Sequence, residues 1–142
     1  AEIDQTDHKA KILSVGDSRA YLIDAQGKWQ QITQDHSILA ELLADFSDKK
    51  EEDFATIYGG VSSCLVADYS EFQDKIFYQE IEIQQGESLL LCSDGLTDGL
   101  SAEVREKIWK QYDNDKSRLT VYRKLIEKQR FYDDLSVIIC AF

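Results

Sequence analysis

The chain has 142 residues, 43% of them apolar, which is enough for a single domain with a buried core. Its 27 acidic and 16 basic residues give a net charge of −11, so its surface should repel nucleic acid and anionic lipid. No apolar run is long enough to cross a bilayer, and no secretory signal pattern is present. We therefore expect a cytoplasmic protein that binds neither nucleic acid nor a membrane.

The cysteines agree with a reducing compartment. Cys64, Cys92 and Cys140 are odd in number and form no CxxC pair, and the last two lie in apolar runs. We predict that all three are reduced thiols in or near the core.

The first third of the chain predicts short antiparallel strands. Residues 1–9 are polar and aperiodic, which indicates a frayed end or a strand without its neighbour. Residues 10–15 predict a buried strand, Gly16-Asp17-Ser18 a tight turn, residues 20–24 a second strand, and residues 29–33 a half-exposed third strand. Because the connections are too short for crossover helices, these three strands are predicted to form an antiparallel meander.

The middle of the chain alternates helical, loop and strand patterns. Ser37 is a candidate N-cap for an amphipathic helix, and the charged residues 46–54 predict a surface loop. Residues 61–67 fit a strand less clearly, because of Ser62-Ser63-Cys64. Residues 77–83 alternate in polarity and are predicted to form a hairpin with residues 89–92.

The last third is mainly helical and ends in a strand. Ser101 and Asn114 are candidate N-caps of two amphipathic helices, and residues 135–142 form an apolar, β-branched run. The order of elements lacks regular βαβ alternation. It therefore predicts an α+β fold built on antiparallel sheet.

Three acidic turns stand at the ends of predicted buried strands: Gly16-Asp17-Ser18-Arg19, Ser93-Asp94-Gly95 and Asp133-Asp134. Carboxylates gathered at one sheet edge would repel one another unless cations neutralised them, and oxygen-only ligands favour Mg²⁺ or Mn²⁺ over zinc. Spacing alone leaves open whether the three turns meet. An ordinary turn and helix cap also accounts for Asp94-Gly95 taken by itself.

Four ordered motifs together resemble a known family. They are Ser14-Val15-Gly16-Asp17-Ser18-Arg19-Ala20-Tyr21, Thr33-Gln34-Asp35-His36-Ser37, Leu90-Leu91-Cys92-Ser93-Asp94-Gly95-Leu96-Thr97-Asp98 and Asp133-Asp134-Leu135-Ser136-Val137-Ile138. Their order and approximate spacing resemble the metal-dependent serine/threonine protein phosphatases of the PP2C type, from about Lys11 to the last residue. The resemblance implies a sandwich of two antiparallel sheets flanked by helices, with metals at one edge.

The same resemblance implies roles for individual residues. Asp94 matches the aspartate that binds the catalytic metal pair and helps to hold a third metal. Asp133 matches the second ligand of the pair, in the Asp-Asp form of a bacterial subgroup, and Asp17 matches the ligand of the third, weaker metal. His36 and Arg19 are typical of the motifs and are candidates for a place near the substrate. For His36 and Asp35 the alternative is capping of the helix at Ser37, and for Arg19 the alternative is a structural salt bridge.

The chain also departs from the family pattern. The family's N-terminal portion, with the Asp-Gly motif that bridges both metals and a basic residue for the phosphate, has no counterpart here. We therefore expect residues 1–142 to be one partial domain, inactive or nearly so alone, which pairs with a missing N-terminal half or self-associates. The implied reaction is hydrolysis of phosphoserine or phosphothreonine in a phosphoprotein substrate, with two Mg²⁺ or Mn²⁺ ions and a third in some members. The alternatives are a pseudophosphatase or an acidic interaction domain.

Overall fold

The computed structural model describes residues 1–4, 6–38, 60–63, 76–130 and 132–142. In these ranges the strands are β1 (Glu2–Asp4), β2 (Lys9–Ser14), β3 (Arg19–Ile23), β4 (Trp29–Gln31), β5 (Phe77–Glu82), β6 (Ser88–Cys92) and β7 (Val137–Ala141). The helices are α1 (Asp94–Gly99), α2 (Ala102–Gln111) and α3 (Asp115–Ile126).

The strands form two antiparallel sheets. One has the order β1-β2-β5, and the other has the order β4-β3-β6-β7. A first core lies between the sheets and contains Ala10, Ile12, Ala20, Ile32, Ile83 and Leu89. A second core lies between the four-stranded sheet and the helices, so the predicted α+β fold with antiparallel sheet is confirmed.

Two of the predicted strand pairings are wrong. β2 and β3 do not pair as neighbours of a meander, and β5 and β6 do not form a hairpin, because in each case the chain crosses from one sheet to the other. Gly16 lies in the first crossing with φ +99°, and Gly86 lies in the second with φ +88°. Both glycines adopt the left-handed backbone that other residues rarely accept. These turns therefore change sheet instead of closing hairpins.

The observed pairing of β2 with β5 has an electrostatic reason. Lys9 lies opposite Glu82, and Lys11 lies opposite Glu80. Opposite charges on facing positions stabilise a strand pair. By contrast, the apolar sequence SLLLC of β6 suits the middle of a sheet that is covered on both faces. Alternation of polarity identified the strands but did not distinguish between partners.

The N-terminal segment also differs from the prediction. Residues 2–4 form β1, which pairs with β2, so this segment is neither frayed nor a strand without a neighbour. β2 is buried on one face only: Ala10 and Ile12 are buried, whereas Leu13 is 60% exposed. Pairing with β1 and β5 therefore places β2 in the centre of its sheet while leaving its outer face open.

An aromatic cluster attaches the helices to the four-stranded sheet. The Trp29 ring lies 5.2 Å from that of Tyr21 and 5.7 Å from that of Trp109. The Arg105 guanidinium is buried over Tyr21 and Trp29, 5.1 and 5.3 Å from the ring centroids, and the Tyr122 hydroxyl donates a 2.9 Å hydrogen bond to the Arg105 carbonyl. These contacts anchor α2 and α3 to the sheet that contains β6.

Two of the three predicted helix caps, those at Ser101 and Asn114, are confirmed. The Ser101 hydroxyl accepts a 3.4 Å hydrogen bond from the Val104 amide, and Asn114 Oδ1 accepts a 2.9 Å hydrogen bond from the Ser117 amide. These bonds satisfy amides that have no acceptor within the first helical turn.

The Asn114→Ala variant should lower the free energy of unfolding by about 1 kcal/mol, because it removes this acceptor from the start of α3. Urea denaturation of the variant and of wild type measures the difference. Thr120→Ala, a change in the middle of the same helix, is the control and should not reproduce the loss. Equal stability of Asn114→Ala and wild type would contradict the importance of the cap.

Several predictions fall partly or wholly outside the described residues. The helix that begins at Ser37 is described only at residues 37–38, where Ser37 forms an antiparallel bridge with Val61. The loop at 46–54 and Cys64 lie outside, and the strand predicted at 61–67 is described only at 61–63. None of the described helices is long and apolar enough to span a membrane.

The two described cysteines are free thiols, as predicted. Cys92 is buried, and burial raises its pKa to about 11, so this thiol stays protonated at neutral pH. Cys92 therefore lacks the lowered pKa of a reactive cysteine. Cys140 is half-buried.

Candidate metal centre

Ser93 ties the end of β6 to the residues that precede β7. Its hydroxyl donates a 3.0 Å hydrogen bond to the Asp134 carbonyl and accepts one of 3.0 Å from the Ser136 amide. The Ser93 amide also donates to the Ser136 carbonyl, at 3.0 Å. The turns that contain Asp94 and Asp133 are therefore held side by side, although they are distant in sequence.

Gly95 allows a very close approach between these two turns. A Cβ atom at this position would lie 2.5 Å from the Asp134 carbonyl oxygen and 3.3 Å from the Asp133 carbonyl oxygen. Both obstacles are backbone, so no side-chain rotation could relieve the clash. The glycine is required because the start of α1 packs directly on the Asp133-Asp134 backbone.

The third acidic turn is held by the segment that follows β4. His36 contacts Gly16 twice, because its Nδ1 atom accepts a 3.1 Å hydrogen bond from the Gly16 amide and its own amide donates a 2.9 Å hydrogen bond to the Gly16 carbonyl. Asp17 follows directly in the chain. His36 thus supports the turn that contains Asp17.

Arg19 forms an ion pair at the other end of the same turn. Its Nε atom donates to Oδ1 and Oδ2 of Asp35, at 3.0 and 2.9 Å, and its Nη2 atom also donates to Oδ2. These hydrogen bonds raise the pKa of Arg19 against the lowering effect of burial. The structural salt bridge proposed as one alternative for Arg19 is present, and a substrate contact stays a prediction.

The pKa of Asp94 shows that the charges of all three acidic turns act on this residue. The pKa of Asp94 is raised, first by burial and then by the negative charge of Asp17. A 2.9 Å hydrogen bond from the Gly95 amide opposes the shift, and the charges of Asp133 and Asp98 add to it. Asp17, Asp94 and Asp133 are therefore close enough for their charges to interact.

Asp98 is the member of this group to which the sequence analysis assigned no role. It lies in α1 four residues after Asp94. That spacing places two side chains on the same face of a helix and was a usable signal. Its charge adds to the repulsion at Asp94.

A cleft of about 400 Å³ opens beside the acidic turns. Ser18 and Arg19 contribute to its lining from one turn, and Ser93 and Ser136 from the other two. Leu13 and Ile138, each 60% exposed, line its apolar part. The cleft therefore lies next to the acidic turns, and its apolar part is open to solvent.

A comparison with protein families finds a match over most of the chain. The model of the family described as "Protein phosphatase 2C" matches residues 3–125. The chain belongs to the protein phosphatase 2C family. This confirms the resemblance inferred from the four sequence motifs.

Curated relatives in this family include bacterial phosphatases. The chain is 35% identical over 99 residues to the serine/threonine phosphatase stp of Listeria innocua, a match that covers 70% of the chain and 38% of the relative. It is 33% identical over 120 residues to a putative protein phosphatase of Mycoplasma genitalium, covering 82% of the chain and 45% of the relative. The chain thus spans less than half the length of these relatives.

Solved structures of phosphatases share the fold. The serine/threonine phosphatase of S. agalactiae superposes with a TM-score of 0.78 at 22% identity, over 95% of this chain and 55% of that one. The catalytic domain of the phosphatase PstP, solved in complex with two manganese ions, superposes with a TM-score of 0.67 at 24% identity, over 93% and 53%. These similarities confirm the predicted architecture.

The donor atoms of this protein phosphatase 2C chain suit a hard divalent cation, because the groups around Asp94 are carboxylates. However, within the ranges that the structure describes, no group of three or more His, Cys, Asp or Glu side chains is arranged to hold a metal ion. Asp94, Asp133 and Asp17 carry carboxylate oxygens, the donor atoms that such a cation prefers. Their roles as ligands stay predictions.

Proposed function

We propose that this chain provides part of the metal centre of a protein serine/threonine phosphatase that acts on phosphoserine or phosphothreonine in proteins. The observation that supports this most directly is the raised pKa of Asp94, to which the charges of Asp17 and Asp133 contribute. Carboxylates that repel one another at one edge of a sandwich are suited to sharing cations. Membership of the protein phosphatase 2C family supports the same reaction.

The role of the chain's own residues is to place oxygen donors. When bound, Mg²⁺ or Mn²⁺ would neutralise phosphate charge and activate a water molecule for attack on phosphorus. Asp94 and Asp133 would hold the catalytic pair from adjacent turns, and Asp17 would hold a third, weaker ion with Asp94. The hydrogen bonds of Ser93 and the close packing of Gly95 keep the first two carboxylates in a constant relation.

We propose further that the 142-residue chain alone is inactive or nearly so. The described residues do not supply a three-ligand group, so the remaining ligands must come from elsewhere. A complementary part of the domain, or a second copy, could pack on three open features of the chain. These are the cleft, the exposed side chains of Leu13 and Ile138, and the edge of β7 that faces away from β6. The free thiols of Cys92 and Cys140 support a cytoplasmic location.

The test uses a protein made from the longest natural reading frame that contains these residues. With Mn²⁺ it should release phosphate from a phosphothreonine peptide, and Asp94→Asn should abolish the release. No hydrolysis of any phosphoserine or phosphothreonine peptide would overturn the proposed function. The 142-residue chain should release little or none, and rapid turnover by it would overturn only the proposal of inactivity.

The absence of a three-ligand group among the described residues also favours a second candidate, a pseudophosphatase that binds phosphoproteins without hydrolysing them. Fluorescence polarisation with a labelled phosphopeptide separates the two candidates. Binding that persists without Mn²⁺, together with no hydrolysis by the protein made from the longest reading frame, would favour the pseudophosphatase. If neither Mn²⁺ nor phosphopeptide binds, an acidic interaction domain is favoured.

A further inference from the structure

Two consecutive residues hold the two ends of the turn that contains Asp17. His36 bonds the Gly16 amide through Nδ1 at 3.1 Å, and its own amide donates to the Gly16 carbonyl at 2.9 Å. Asp35 accepts hydrogen bonds from Arg19 at 3.0 and 2.9 Å. Asp17 and Ser18 lie between these two attachments. The turn is thus supported from one short segment, on both sides of the carboxylate.

The Gly16 end needs this support more than the Arg19 end. Arg19 is the first residue of β3 and is also held by strand pairing, opposite Cys92. Gly16 lies outside the strands with φ +99°, a conformation open to glycine but not imposed by it. Its two hydrogen bonds to His36 restrain Gly16 in this conformation.

We propose that His36 is a positioning residue, whose ring holds the Gly16 amide so that the Asp17 carboxylate faces Asp94. The inference rests on the metal centre proposed above and assigns His36 a task other than contact with substrate. It differs from helix capping, because the ring bonds a residue 20 positions earlier in the chain.

The hydrogen bond specifies what the side chain must supply. Nδ1 accepts a hydrogen bond from the Gly16 amide, so this nitrogen carries no hydrogen and the ring N–H is on Nε2. An asparagine Oδ1 atom is the same number of bonds from the backbone as Nδ1 and is also an acceptor. His36→Asn should therefore keep the contact that His36→Ala removes.

The experiment measures Mn²⁺ binding by the protein made from the longest natural reading frame that contains these residues, using the electron paramagnetic resonance signal of free Mn²⁺. His36→Ala should bind Mn²⁺ about tenfold more weakly, as is typical when a residue that orients a ligand is lost. His36→Asn should bind close to the wild-type value. Hydrogen exchange of the Gly16 amide should be faster in His36→Ala and remain slow in His36→Asn.

Tyr122→Phe is the matched control, because it removes one buried hydrogen bond, to the Arg105 carbonyl, away from the acidic turns. It should unfold at a lower urea concentration than wild type and leave Mn²⁺ affinity unchanged. If His36→Ala does not fold, His36→Gln, whose acceptor lies one bond farther from the backbone, takes its place and should also bind more weakly.

Two failures can be distinguished. Three results would overturn the positioning role alone. They are unchanged Mn²⁺ affinity in His36→Ala, an equal loss of Mn²⁺ affinity in Tyr122→Phe, and a Mn²⁺ affinity of His36→Asn as low as that of His36→Ala. A wild-type protein of this reading frame without any Mn²⁺ binding that Asp94→Asn removes would instead overturn the proposed metal centre, and the positioning role with it.

Discussion

The Asp94→Asn variant should lose Mn²⁺ binding and, in the absence of metal, be more stable than wild type. The two effects have one cause. Burial and the charges of Asp17 and Asp133 raise the pKa of Asp94, so its ionised form is disfavoured in the folded chain. Asparagine has a similar shape and can still accept the hydrogen bond from the Gly95 amide, but it lacks the charge that a cation needs.

The stability difference should depend on pH in a defined direction. Because the pKa of Asp94 is raised on folding, ionisation destabilises the folded state, and wild-type stability recovers as pH falls through the folded-state pKa. The advantage of Asp94→Asn should therefore be full at neutral pH and shrink as pH falls through the folded-state pKa towards the unfolded value. Urea denaturation without metal, at neutral and acidic pH, measures this trend.

Asp113→Asn is the control for Asp94→Asn, since it makes the same chemical change at an exposed residue between α2 and α3. It should retain Mn²⁺ binding. A metal-free Asp94→Asn variant that is less stable than wild type at neutral pH would contradict the repulsion among the three carboxylates. Undiminished Mn²⁺ binding would contradict the role of Asp94 as a ligand.

Gly95→Ala should destabilise the chain by about 1–3 kcal/mol, the range typical of overpacking. At an unhindered helical position the same change would stabilise by up to about 1 kcal/mol, because alanine favours a helix over glycine. Here the added Cβ would lie 2.5 Å from the Asp134 carbonyl oxygen, so the backbone of one turn must move. This movement would separate Asp94 from Asp133, and Mn²⁺ binding should weaken as well.

Gly86→Ala is a suitable comparison for Gly95→Ala. Its nearest obstacle would be the Ala25 Cβ atom, at 3.6 Å, so its cost comes only from its φ of +88° and should be about 1–2 kcal/mol. Both variants should unfold at lower urea concentration than wild type, but only Gly95→Ala should also weaken Mn²⁺ binding. Wild-type stability and Mn²⁺ affinity in Gly95→Ala would show that the two turns do not pack as described.

The local structure was largely predictable from sequence because it depends on neighbours in the chain. The caps at Ser101 and Asn114 follow from a polar side chain before a helical apolar pattern, and both are present. Strand positions followed from alternating polarity to within a few residues. Pairing was less predictable, since alternation shows which side chains share a face but not which strand lies alongside. The hairpin predicted for β5 and β6 failed for this reason.

In the candidate site, too, local features were predictable from the sequence and contacts between distant residues were not. The motifs around Asp17, Asp94 and Asp133 were recognisable because each acidic residue follows or precedes an apolar strand. The interactions that hold these turns together were not recognisable, because they join residues distant in sequence and depend on atomic positions. One example is the hydrogen bond that the Gly16 amide donates to His36. Another is the packing of Gly95 on the Asp134 backbone.

The sequence by itself was sufficient for the family, the fold class and the positions of the three acidic turns, since short motifs and periodic patterns are properties of the chain alone. The tertiary structure was needed to establish that the charges of Asp17 and Asp133 reach Asp94, and that a glycine and a histidine support the turns around them. The physical reason is distance. Electrostatic and steric interactions depend on separations of a few ångströms in space, and only folding brings these residues to such separations.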